Sequence, residues 1–480
     1  MNFYNGTTLR SSGRKICLPF SLSIDGTHEL VTCERLLNII PGKRAVFLGK
    51  WKNQEVVAKL FFQTFKMNHH IRREVSGIQS LLKVGILAPD LIFTGKTTDK
   101  KVAVLLFKYI YPSKELGELW NSTESVKTKR KLIGKLMVIL AKMHQAGIKH
   151  LDLHLNNFLI KDDDIYTIDG TSIRWSKNSH PLKMEDRINN LALLFAQFTL
   201  PDYFVIYDLY DEYVKESEIK DTRYFLHKLQ LEIKRWRKWR IKNYLRLNLR
   251  EYSELICRKS FTRFILCKRA YDTPAMTEFL NNPDKKFNDP KGNFLKQGNS
   301  STVIRIKIDK HDLVVKRYNI KNIKHRLRRF LRPSRATHSW KSAHLLEMLG
   351  IATPMPVAMI ESRFGYFRGK AYFVYEHIDG TNVIDFFNDG SLQQKHEVAK
   401  RISDLFKILV IAKISHQDMK GTNIIIHQKD PVLVDLDAMC LHISRRRFER
   451  AHRRDISIFF ENWKAFPEVD AMFKDLMNTR

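Results

Sequence analysis

The chain has 480 residues, which is too long for one ordinary hydrophobic core, so two or three domains are expected. Its 44% hydrophobic and 11% aromatic content is typical of a globular protein and excludes a largely disordered one. The five cysteines are odd in number and form no C-x-x-C pair. This pattern argues against a disulfide framework or a zinc site and favours a reducing compartment.

The formal net charge of +32, from 83 Lys and Arg against 51 Asp and Glu, predicts a polyanionic partner. That partner is nucleic acid, an anionic membrane or an anionic glycolipid; a generally basic, solvated surface is the alternative. The apolar runs fall far short of the ~20 residues that a membrane span needs. The N-terminal residues lack the pattern of a signal peptide. We therefore expect a cytosolic or peripheral protein.

Residues 1–35 give no clear element, and three strands separated by turns are predicted between residues 36 and 62. Lys59 ends a Val-Val-Ala-Lys sequence, the context in which a kinase strand brings a lysine to the nucleotide phosphates. The usual G-x-G-x-x-G is absent, and only Gly42 and Gly49 flank the hairpin. The lysine is thus indicated more strongly than a phosphate-covering loop.

A helix over about 68–84 is predicted from its apolar periodicity and from Gly85, which would end it. Glu74 borders the apolar face of this helix, fifteen residues after Lys59. This placement fits the glutamate that pairs with the phosphate-binding lysine of a kinase. A solvated helix glutamate is the alternative.

A second periodic helix, over 124–146, leads through a glycine into an ordered set of polar residues. The set reads H-x-D-x-x-x-x-N and then D-G, and its chemistry lies in Asp152, Asn157 and Asp169. In a kinase-like fold this order places one carboxylate to take a hydroxyl proton. The amide and the second carboxylate are placed to hold a divalent cation. Each residue alone would be an ordinary polar loop residue, so the prediction depends on the ordered set.

Four segments together resemble the bacterial lipopolysaccharide kinases: Pro-Gly-Lys-Arg, Val-Val-Ala-Lys-Leu-Phe, Asp-Leu-His-Leu-Asn-Asn-Phe-Leu-Ile and Tyr-Thr-Ile-Asp-Gly. These are the Kdo and heptose kinases of the core oligosaccharide, distant relatives of protein kinases. The resemblance covers roughly residues 30–200 and implies ATP-dependent phosphorylation of a sugar hydroxyl. His154 fits this reading, because protein serine/threonine kinases usually carry lysine there; a hydrogen-bonded loop histidine is an equal alternative.

After a predicted buried helix over 188–200, the chain becomes charged and helical. Between residues 233 and 250 eight Lys and Arg residues alternate with aromatic and leucine residues, including Trp236 and Trp239. Such a helix suits the surface of an anionic membrane. Packing of its aromatic residues on a neighbouring lobe is the second interpretation. Nucleic acid is the least favoured, since no recognition motif accompanies the charge. A domain boundary is predicted at about 281–292.

The second half repeats the first. A lysine strand recurs at Lys316, after a small-residue turn over 298–303 that could cradle phosphate. The catalytic-loop residues recur as Asp418, Asn423 and Asp435. In both copies the first aspartate precedes the asparagine by five residues and the second aspartate by seventeen. We interpret this as a tandem repeat of a whole kinase-like domain.

One position breaks the repeat. Counted back from the glycine that ends each helix, the equivalent of Glu74 is Ser339, and Glu347 lies too near the helix end to replace it. This predicts that Lys316 is positioned differently, or that the second copy binds nucleotide with weak turnover. Three segments within about 293–465 are similar to another branch of the same kinase family: Ser334-Arg-Ala-Thr-His-Ser-Trp340, Gly-Ile-Ala-Thr-Pro-Met-Pro and Val-Asp-Leu-Asp-Ala-Met. That resemblance offers a third explanation, that the missing glutamate belongs to the branch.

The predicted fold class is α+β, with two tandem protein-kinase-like domains. Each would have a small β-rich N-lobe and a larger helical C-lobe. The first would cover 1–280, with a core at about 30–200 and a basic helical extension at about 205–280; the second would cover 285–480. Proton acceptance is assigned to Asp152 and Asp418. Binding of the nucleotide is assigned to Lys59, Glu74 and Lys316, and binding of Mg²⁺ to Asn157, Asp169, Asn423 and Asp435.

The resemblance implies ATP and Mg²⁺ as cofactors and a heptose or Kdo hydroxyl of the lipopolysaccharide inner core as the acceptor. The reaction would belong to outer-membrane biogenesis and take place at the cytoplasmic face of the inner membrane. An anionic glycolipid substrate in an anionic membrane would also account for the charge of +32. The alternatives are a protein kinase, in particular a kinase–pseudokinase regulatory pair, and a non-catalytic binding or scaffold protein.

Overall fold

The computed structural model describes residues 2–62, 67–175, 180–319, 333–365 and 367–478. Most of the basic run at 321–335 lies outside these described residues. The chain divides into two compact units. Unit 1 comprises Met1–Gln197 and Phe204–Arg237, and unit 2 comprises Phe198–Tyr203 and Lys238–Arg480. Both units mix α-helices and β-sheets.

Unit 1 is built on a seven-stranded sheet in the order β1-β2-β3-β4-β5-β7-β6, in which only β1 and β2 pair in parallel. The strands are β1 Asn2–Tyr4, β2 Phe20–Ser23, β3 Leu30–Ile40, β4 Arg44–Trp51, β5 Gln54–Phe61, β6 Leu91–Lys96 and β7 Ala103–Lys108. Two small sheets follow, with the orders β11-β10-β8 and β12-β9. Their strands are β8 Lys114–Glu115, β9 Ile148–His150, β10 Phe158–Lys161, β11 Asp164–Thr167 and β12 Ile173–Trp175.

The helices of this half of the chain are α1 Gly6–Ser11, α2 Met67–Lys83, α3 Leu116–Ser122, α4 Val126–Gln145, α5 Met184–Phe195, α6 Tyr203–Ser217 and α7 Thr222–Leu247. The strands predicted between residues 36 and 62 and the helices predicted over about 68–84, 124–146 and 188–200 are confirmed, with bounds shifted by a few residues. Gly85 and Gly147 follow α2 and α4 in the left-handed conformation, as their use as helix terminators requires.

Strand β5 determines where Lys59 points. Val56, Ala58 and Leu60 are fully buried in the core on one face of the sheet. Because side chains alternate along a strand, Lys59 projects from the opposite face, towards α2. The same alternation therefore builds the core and delivers the lysine to the site.

Residues 1–35, for which no clear element was predicted, contribute β1, α1, β2 and the start of β3. Phe20, Leu22 and Val31 from this segment are completely buried in the same core as β5. The first three elements have only three to six residues each, which is too short for periodicity to reveal them.

Unit 2 is built on an antiparallel seven-stranded sheet in the order β13-β14-β18-β19-β17-β16-β15. Its strands are β13 Leu255–Lys259, β14 Arg263–Lys268, β15 Asn293–Gln297, β16 Ser301–Ile308, β17 His311–Tyr318, β18 Pro356–Phe364 and β19 Phe367–Glu376. The small sheets have the orders β20-β22-β23 and β21-β24. Their strands are β20 Thr381–Asn382, β21 Ile414–Ser415, β22 Ile424–His427, β23 Asp430–Leu433 and β24 Cys440–Leu441.

The helices described after α7 are α8 Pro274–Asn281, α9 Asp284–Phe287, α10 Arg335–Leu349, α11 Val383–Asp389, α12 Leu392–Ala412, α13 Arg445–Glu461 and α14 Pro467–Asn478. Buried residues of α10, α12, α13 and α14 share one hydrophobic core that includes Trp340, Phe406, Phe459 and Phe473.

The two units repeat one topology. Five neighbouring strands correspond, β3-β4-β5-β7-β6 in unit 1 and β15-β16-β17-β19-β18 in unit 2, and each unit adds one three-stranded and one two-stranded sheet. The extra strands differ: β1 and β2 extend the sheet beyond β3, whereas β13 and β14 extend it beyond β18. The repeat predicted from residue spacing is therefore also a repeat of strand order.

Part of the segment predicted as a basic helical extension, at about 205–280, lies in unit 2. Strands β13 and β14 and helix α8 fall within that extension, but they belong to unit 2. The reason is burial: Ile265, Phe279 and Leu280 lie in a core with residues of β17 and β18. The limits of the two kinase-like domains, 1–280 and 285–480, stay a prediction.

Among the described residues no helix is both long and apolar enough to pass through a membrane.

Candidate active site

In unit 1 the side chains predicted to bind nucleotide and metal lie together. Lys59 Nζ donates to Glu74 Oε1 at 2.6 Å and to Asp169 Oδ1 at 3.3 Å. Glu74 is 1% exposed. Burial would lower the pKa of Lys59, but the charges of Glu74 and Asp169 outweigh it and raise that pKa. The amine therefore stays cationic between two carboxylates.

Glu74 also connects α2 to the loop after Asp169. Its carboxylate accepts hydrogen bonds from the backbone N–H groups of Gly170, at 3.2 Å, and Thr171, at 2.9 Å. A Cβ on Gly77 would lie 2.0 Å from the carbonyl oxygen of Gly170, and a Cβ on Gly170 would lie 2.3 Å from that of Glu74. Two glycines thus let the helix and the loop approach closely enough for this contact.

Asp169 is held as a carboxylate. It adopts the left-handed conformation, with φ of 68°, and accepts hydrogen bonds from the hydroxyls of Thr171 and Ser172. Burial opposes its ionisation, but Lys59, the two hydroxyls and Arg44, whose guanidinium lies 3.7 Å away, together lower its pKa far below the usual value. An ionised carboxylate of this kind is a suitable ligand for a divalent cation.

The loop after α4 carries Asp152 and Asn157. The Asn157 amide is buried and donates to the backbone carbonyl of Asp152 at 2.7 Å, which fixes the loop. The Asp152 side chain is 68% exposed, and His154 Nε2 lies 3.7 Å from its Oδ2. This imidazole lowers the pKa of the Asp152 carboxyl, against a smaller opposing effect of burial. Asp152 is therefore ionised and open to an incoming hydroxyl.

The loop that carries Asp152 is supported by a buried polar group that was not predicted from the sequence. Asn190 accepts from the backbone N–H of His150 and donates to the His150 carbonyl, at 3.4 and 2.7 Å. Asn190 Oδ1 also contacts His144 Nε2 at 3.1 Å, and His144 Nδ1 lies 2.8 Å from the Tyr213 hydroxyl. Burial lowers the pKa of His144 and of His150 to about 4. Both imidazoles are neutral in the folded protein.

Because the pKa values of His144 and His150 are lowered in the folded protein, we expect the free energy of unfolding to depend on pH. In the unfolded chain their pKa returns to about 6.5, so below that pH the unfolded state binds more protons than the folded state. The stability they provide is complete above pH 6.5 and is lost as the pH falls towards 4. We expect a loss of roughly 2 kcal/mol per histidine between pH 7 and pH 5, measured by urea unfolding.

The His144→Gln variant provides the control for this prediction. Between pH 7 and pH 5 this variant should lose less unfolding free energy than the unsubstituted chain. The difference should be roughly 2 kcal/mol, the contribution expected of one histidine. Equal losses in the two proteins would show that His144 does not titrate on unfolding and would contradict the prediction.

In unit 2 the lysine has a different acidic partner. Lys316 Nζ lies 2.5 Å from Asp435 Oδ1 and 2.8 Å from Asp437 Oδ2. Glu347 does not take part; it contacts Lys268 and His344 instead, each at 3.0 Å. Asp437 was missed by the sequence analysis, although it is visible as the second acid of Val-Asp-Leu-Asp.

Asp437 is surrounded by donors. The Tyr318 hydroxyl and the Ser339 hydroxyl donate to its Oδ1 at 2.7 and 2.8 Å, and Arg335 donates to its Oδ2 at 2.6 Å. Burial opposes ionisation of Asp437, but Lys316, the Tyr318 hydroxyl and Arg335 lower its pKa below the usual value. The carboxylate adjoins a small pocket, which Lys316, Asp435 and aromatic residues also line.

The loop around Asp418 repeats the backbone contact of the loop around Asp152 but differs in its side-chain contacts. Asn423 donates to the backbone carbonyl of Asp418 at 2.8 Å, as Asn157 does to Asp152. The residue two positions after the aspartate is Lys420, and its Nζ lies 2.9 Å from Asp418 Oδ1. The buried Asp455 takes the place of Asn190 and accepts from the backbone N–H groups of residues 416 and 417, at 2.8 and 2.7 Å.

The small-residue turn at 298–303 joins β15 and β16. The Gly298 N–H donates to the Ser301 carbonyl at 3.0 Å, and the Asn319 amide donates to the Gly298 carbonyl at 2.9 Å. These contacts define the shape of the turn. Its contact with phosphate stays a prediction.

The basic segment of α7 has two kinds of surroundings. Trp236 Nε1 donates to Asn189 at 3.1 Å, whereas Ile241 and Leu245 pack against the core of unit 2. Trp239 is 55% exposed. Trp236, Ile241 and Leu245 therefore pack against the protein, as the second interpretation expects. Contact of this helix with a membrane stays a prediction.

The donor set suits a magnesium–nucleotide complex better than a closed metal cage. No group of three or more His, Cys, Asp or Glu that could hold a metal occurs in the described part of the chain. Each site instead has one aspartate and one asparagine, whose amide nitrogen already donates to backbone. Mg²⁺ is commonly bound by one or two carboxylates, water and substrate phosphates, and this set fits that pattern.

A buried lysine–acid pair, an exposed aspartate and an Asn–Asp pair together define the site of a kinase-like phosphotransferase. The sequence comparison agrees. The model of the lipopolysaccharide kinase (Kdo/WaaP) family matches residues 44–194 and 284–469, which is 151 plus 186, or 337 of the 480 residues. The chain belongs to this family, and both halves are matched. No curated protein matches the chain.

Proposed function

We propose that the protein transfers the γ-phosphate of ATP to a sugar hydroxyl, of heptose or Kdo, in the lipopolysaccharide inner core. The observation that carries this proposal is the cluster of Lys59, Glu74 and Asp169, with distances of 2.6 and 3.3 Å, in a chain of the lipopolysaccharide kinase family. The exposed Asp152 and the buried Asn157 complete the set of groups that such a transfer needs.

In this reaction the acceptor hydroxyl oxygen forms a bond to the γ-phosphorus while the bond from that phosphorus to the ADP oxygen breaks. Asp152 accepts the hydroxyl proton, and His154 favours the ionised form of its carboxyl group. Lys59, held by Glu74, would contact the α- and β-phosphates. Most of the rate enhancement comes from positioning and from stabilising charge.

Asn157 and Asp169 would hold Mg²⁺ beside the phosphates. The bound ion neutralises charge that develops on the phosphate oxygens. Asp169 supplies a carboxylate that is ionised at any physiological pH, because Lys59 and two hydroxyls favour its charged form. In unit 2 we assign the same parts to Lys316, Asp418, Asn423 and Asp435, within a second two-lobed kinase-like domain.

The proposed acceptor also explains the charge. A protein of net charge +32 is attracted to phosphorylated glycolipid and to anionic phospholipid at the cytoplasmic face of the inner membrane. The basic residues of α7 and the exposed Trp239 are suited to such a surface. The role in outer-membrane biogenesis follows from the acceptor.

The experiment is an incubation of the full chain with γ-labelled ATP, Mg²⁺ and dephosphorylated core glycolipid, beside a mixed protein acceptor. We expect label in the glycolipid. Label in polypeptide alone would contradict the proposal and indicate a protein kinase. Absence of transfer to either acceptor would indicate a binding or scaffold protein.

One observation favours the protein-kinase alternative for unit 2. Lys420 stands two positions after Asp418 and lies 2.9 Å from it, where unit 1 has His154. Protein serine/threonine kinases usually carry lysine there. Label in polypeptide that is lost with Asp418→Ala and retained with Asp152→Ala would assign that activity to unit 2.

A further inference from the structure

The two copies differ around the lysine at matched positions. They can be aligned by counting from the lysine, from the glycine that ends the helix and from the metal-loop aspartate. The pairs, unit 1 first, are Phe61 and Tyr318, Glu74 and Ser339, Gly77 and Ser342, Gly170 and Leu436, and Thr171 and Asp437. In unit 1 the acid at these positions is Glu74, on the helix, and the loop has Thr171. In unit 2 the helix has Ser339, and the acid is Asp437, on the loop.

The residues that replace Glu74 and Phe61 both contact the relocated acid. Ser339 on α10 and Tyr318 on β17 donate their hydroxyls to Asp437, at 2.8 and 2.7 Å. In unit 1 the residue equivalent to Asp437 is Thr171, whose N–H donates to Glu74 at 2.9 Å. In each copy one carboxylate therefore connects the strand, the helix and the loop. The helix supplies this carboxylate in unit 1, and the loop supplies it in unit 2.

The glycine positions give a physical reason for the exchange. In unit 1 the close approach of α2 to the loop depends on Gly77 and Gly170, because a Cβ at either position would meet backbone at 2.0 to 2.3 Å. Unit 2 has Ser342 and Leu436 at these positions, so its helix cannot approach in the same way. An acid on the loop itself reaches Lys316 without that approach.

The contacts and the exposure of Asp437 and Asp435 indicate different roles for the two aspartates. Four donors from the described residues contact Asp437, two on each carboxylate oxygen, and its side chain is 10% exposed. The side chain of Asp435 is 29% exposed and contacts Lys316 through Oδ1 at 2.5 Å. Asp437 is thus occupied by the protein, and Asp435 is the acid that has room for a metal ion.

We propose that Asp437 is the positioning residue of unit 2. It holds Lys316 at the nucleotide phosphates while Asp435 exchanges its contact with Lys316 for one with the metal ion. It follows that unit 2 is a functional magnesium–nucleotide site in spite of the missing glutamate. This inference rests on the proposed function for the identity of the ligand, and it needs no sugar acceptor.

The test uses the full chain with Lys59→Ala, so that only unit 2 binds, and follows a fluorescent ATP analogue as Mg²⁺ is titrated. With Asp437→Asn, Lys316 keeps Asp435 as its remaining carboxylate and competes with the metal ion. We expect the half-saturating Mg²⁺ concentration to rise about tenfold, the order of effect of one close charge. A purely structural role would change the melting temperature and leave this concentration unaltered.

The matched control is Asp312→Asn, which removes an acid from β17, the strand that carries Lys316; Asp312 pairs with Arg305 at 2.6 Å. It should leave the Mg²⁺ requirement within about twofold. An unchanged requirement with Asp437→Asn, or no nucleotide binding by the Lys59→Ala chain, would overturn the inference. Binding that depends on Asp437, without transfer to glycolipid, would uphold it while overturning the proposed function.

A second set of variants does not depend on the folding of Asp437→Asn. In the full chain with Lys316→Ala, Glu74→Ser should raise the Mg²⁺ requirement of unit 1 by about tenfold. Adding Thr171→Asp, which places the acid as in unit 2, should restore it to within about threefold. If Thr171→Asp restores nothing, the loop position cannot replace the helix position, and the inference fails.

Discussion

Asp169→Asn is expected to lower phosphate transfer by unit 1 by about a thousandfold or more. The substitution removes the charge of the proposed metal ligand and one of the two carboxylates that contact Lys59. The rate should be measured as label transferred to core glycolipid, in a chain with Asp418→Ala so that unit 2 contributes nothing.

The control for Asp169→Asn is Asp163→Asn, which removes an acid of the same unit. The side chain of Asp163 is 68% exposed and contacts Lys131 and Lys135 on α4, away from the site. This variant should keep its rate within about twofold, as expected for an exposed ion pair. If Asp169→Asn retained more than about a tenth of the rate while folded, Asp169 would not be the metal ligand.

Asp152→Ala should have the second-largest effect, a fall in kcat of about 10²- to 10⁴-fold, the usual contribution of a general base. The KM for ATP should change little, because Asp152 is assigned to the acceptor and not to the nucleotide. The side chain is 68% exposed and its close contact is with His154, so the melting temperature should stay the same. The kinetics should again be measured in the Asp418→Ala chain.

Asp164→Ala is the matched control, since Asp164 is an exposed acid on the hairpin that follows the catalytic loop. Its kcat should equal that of the parent chain. A normal kcat with Asp152→Ala would remove the general base from the mechanism. A raised KM for ATP alone would place Asp152 at the nucleotide.

Much of unit 1 could be predicted because its signals are local. The periodicity of α2 and α4, the glycines that end them and the alternation along β5 are all visible in the sequence. Counting fifteen residues from Lys59 selected Glu74, and the structure brings the two side chains together. The catalytic and metal-binding parts of these residues stay predictions.

The position of Asp437 could not be predicted in the same way. Its contact with Lys316 spans 121 residues and depends on how β17 and the loop after β23 pack together. Likewise, β13 and β14 lie far along the chain from β18, and their register in the sheet is set by packing in the core. Local patterns carry neither kind of information.

The proposal that the acceptor is a sugar is tested most directly by mass spectrometry of the core glycolipid. Purified, dephosphorylated glycolipid should be incubated with the full chain, ATP and Mg²⁺, beside the chain with both Asp152→Ala and Asp418→Ala. We predict that the unsubstituted chain adds phosphate to a heptose or Kdo residue and that the double variant adds none. Glycolipid of unchanged mass after incubation with active, ATP-binding protein would contradict the account.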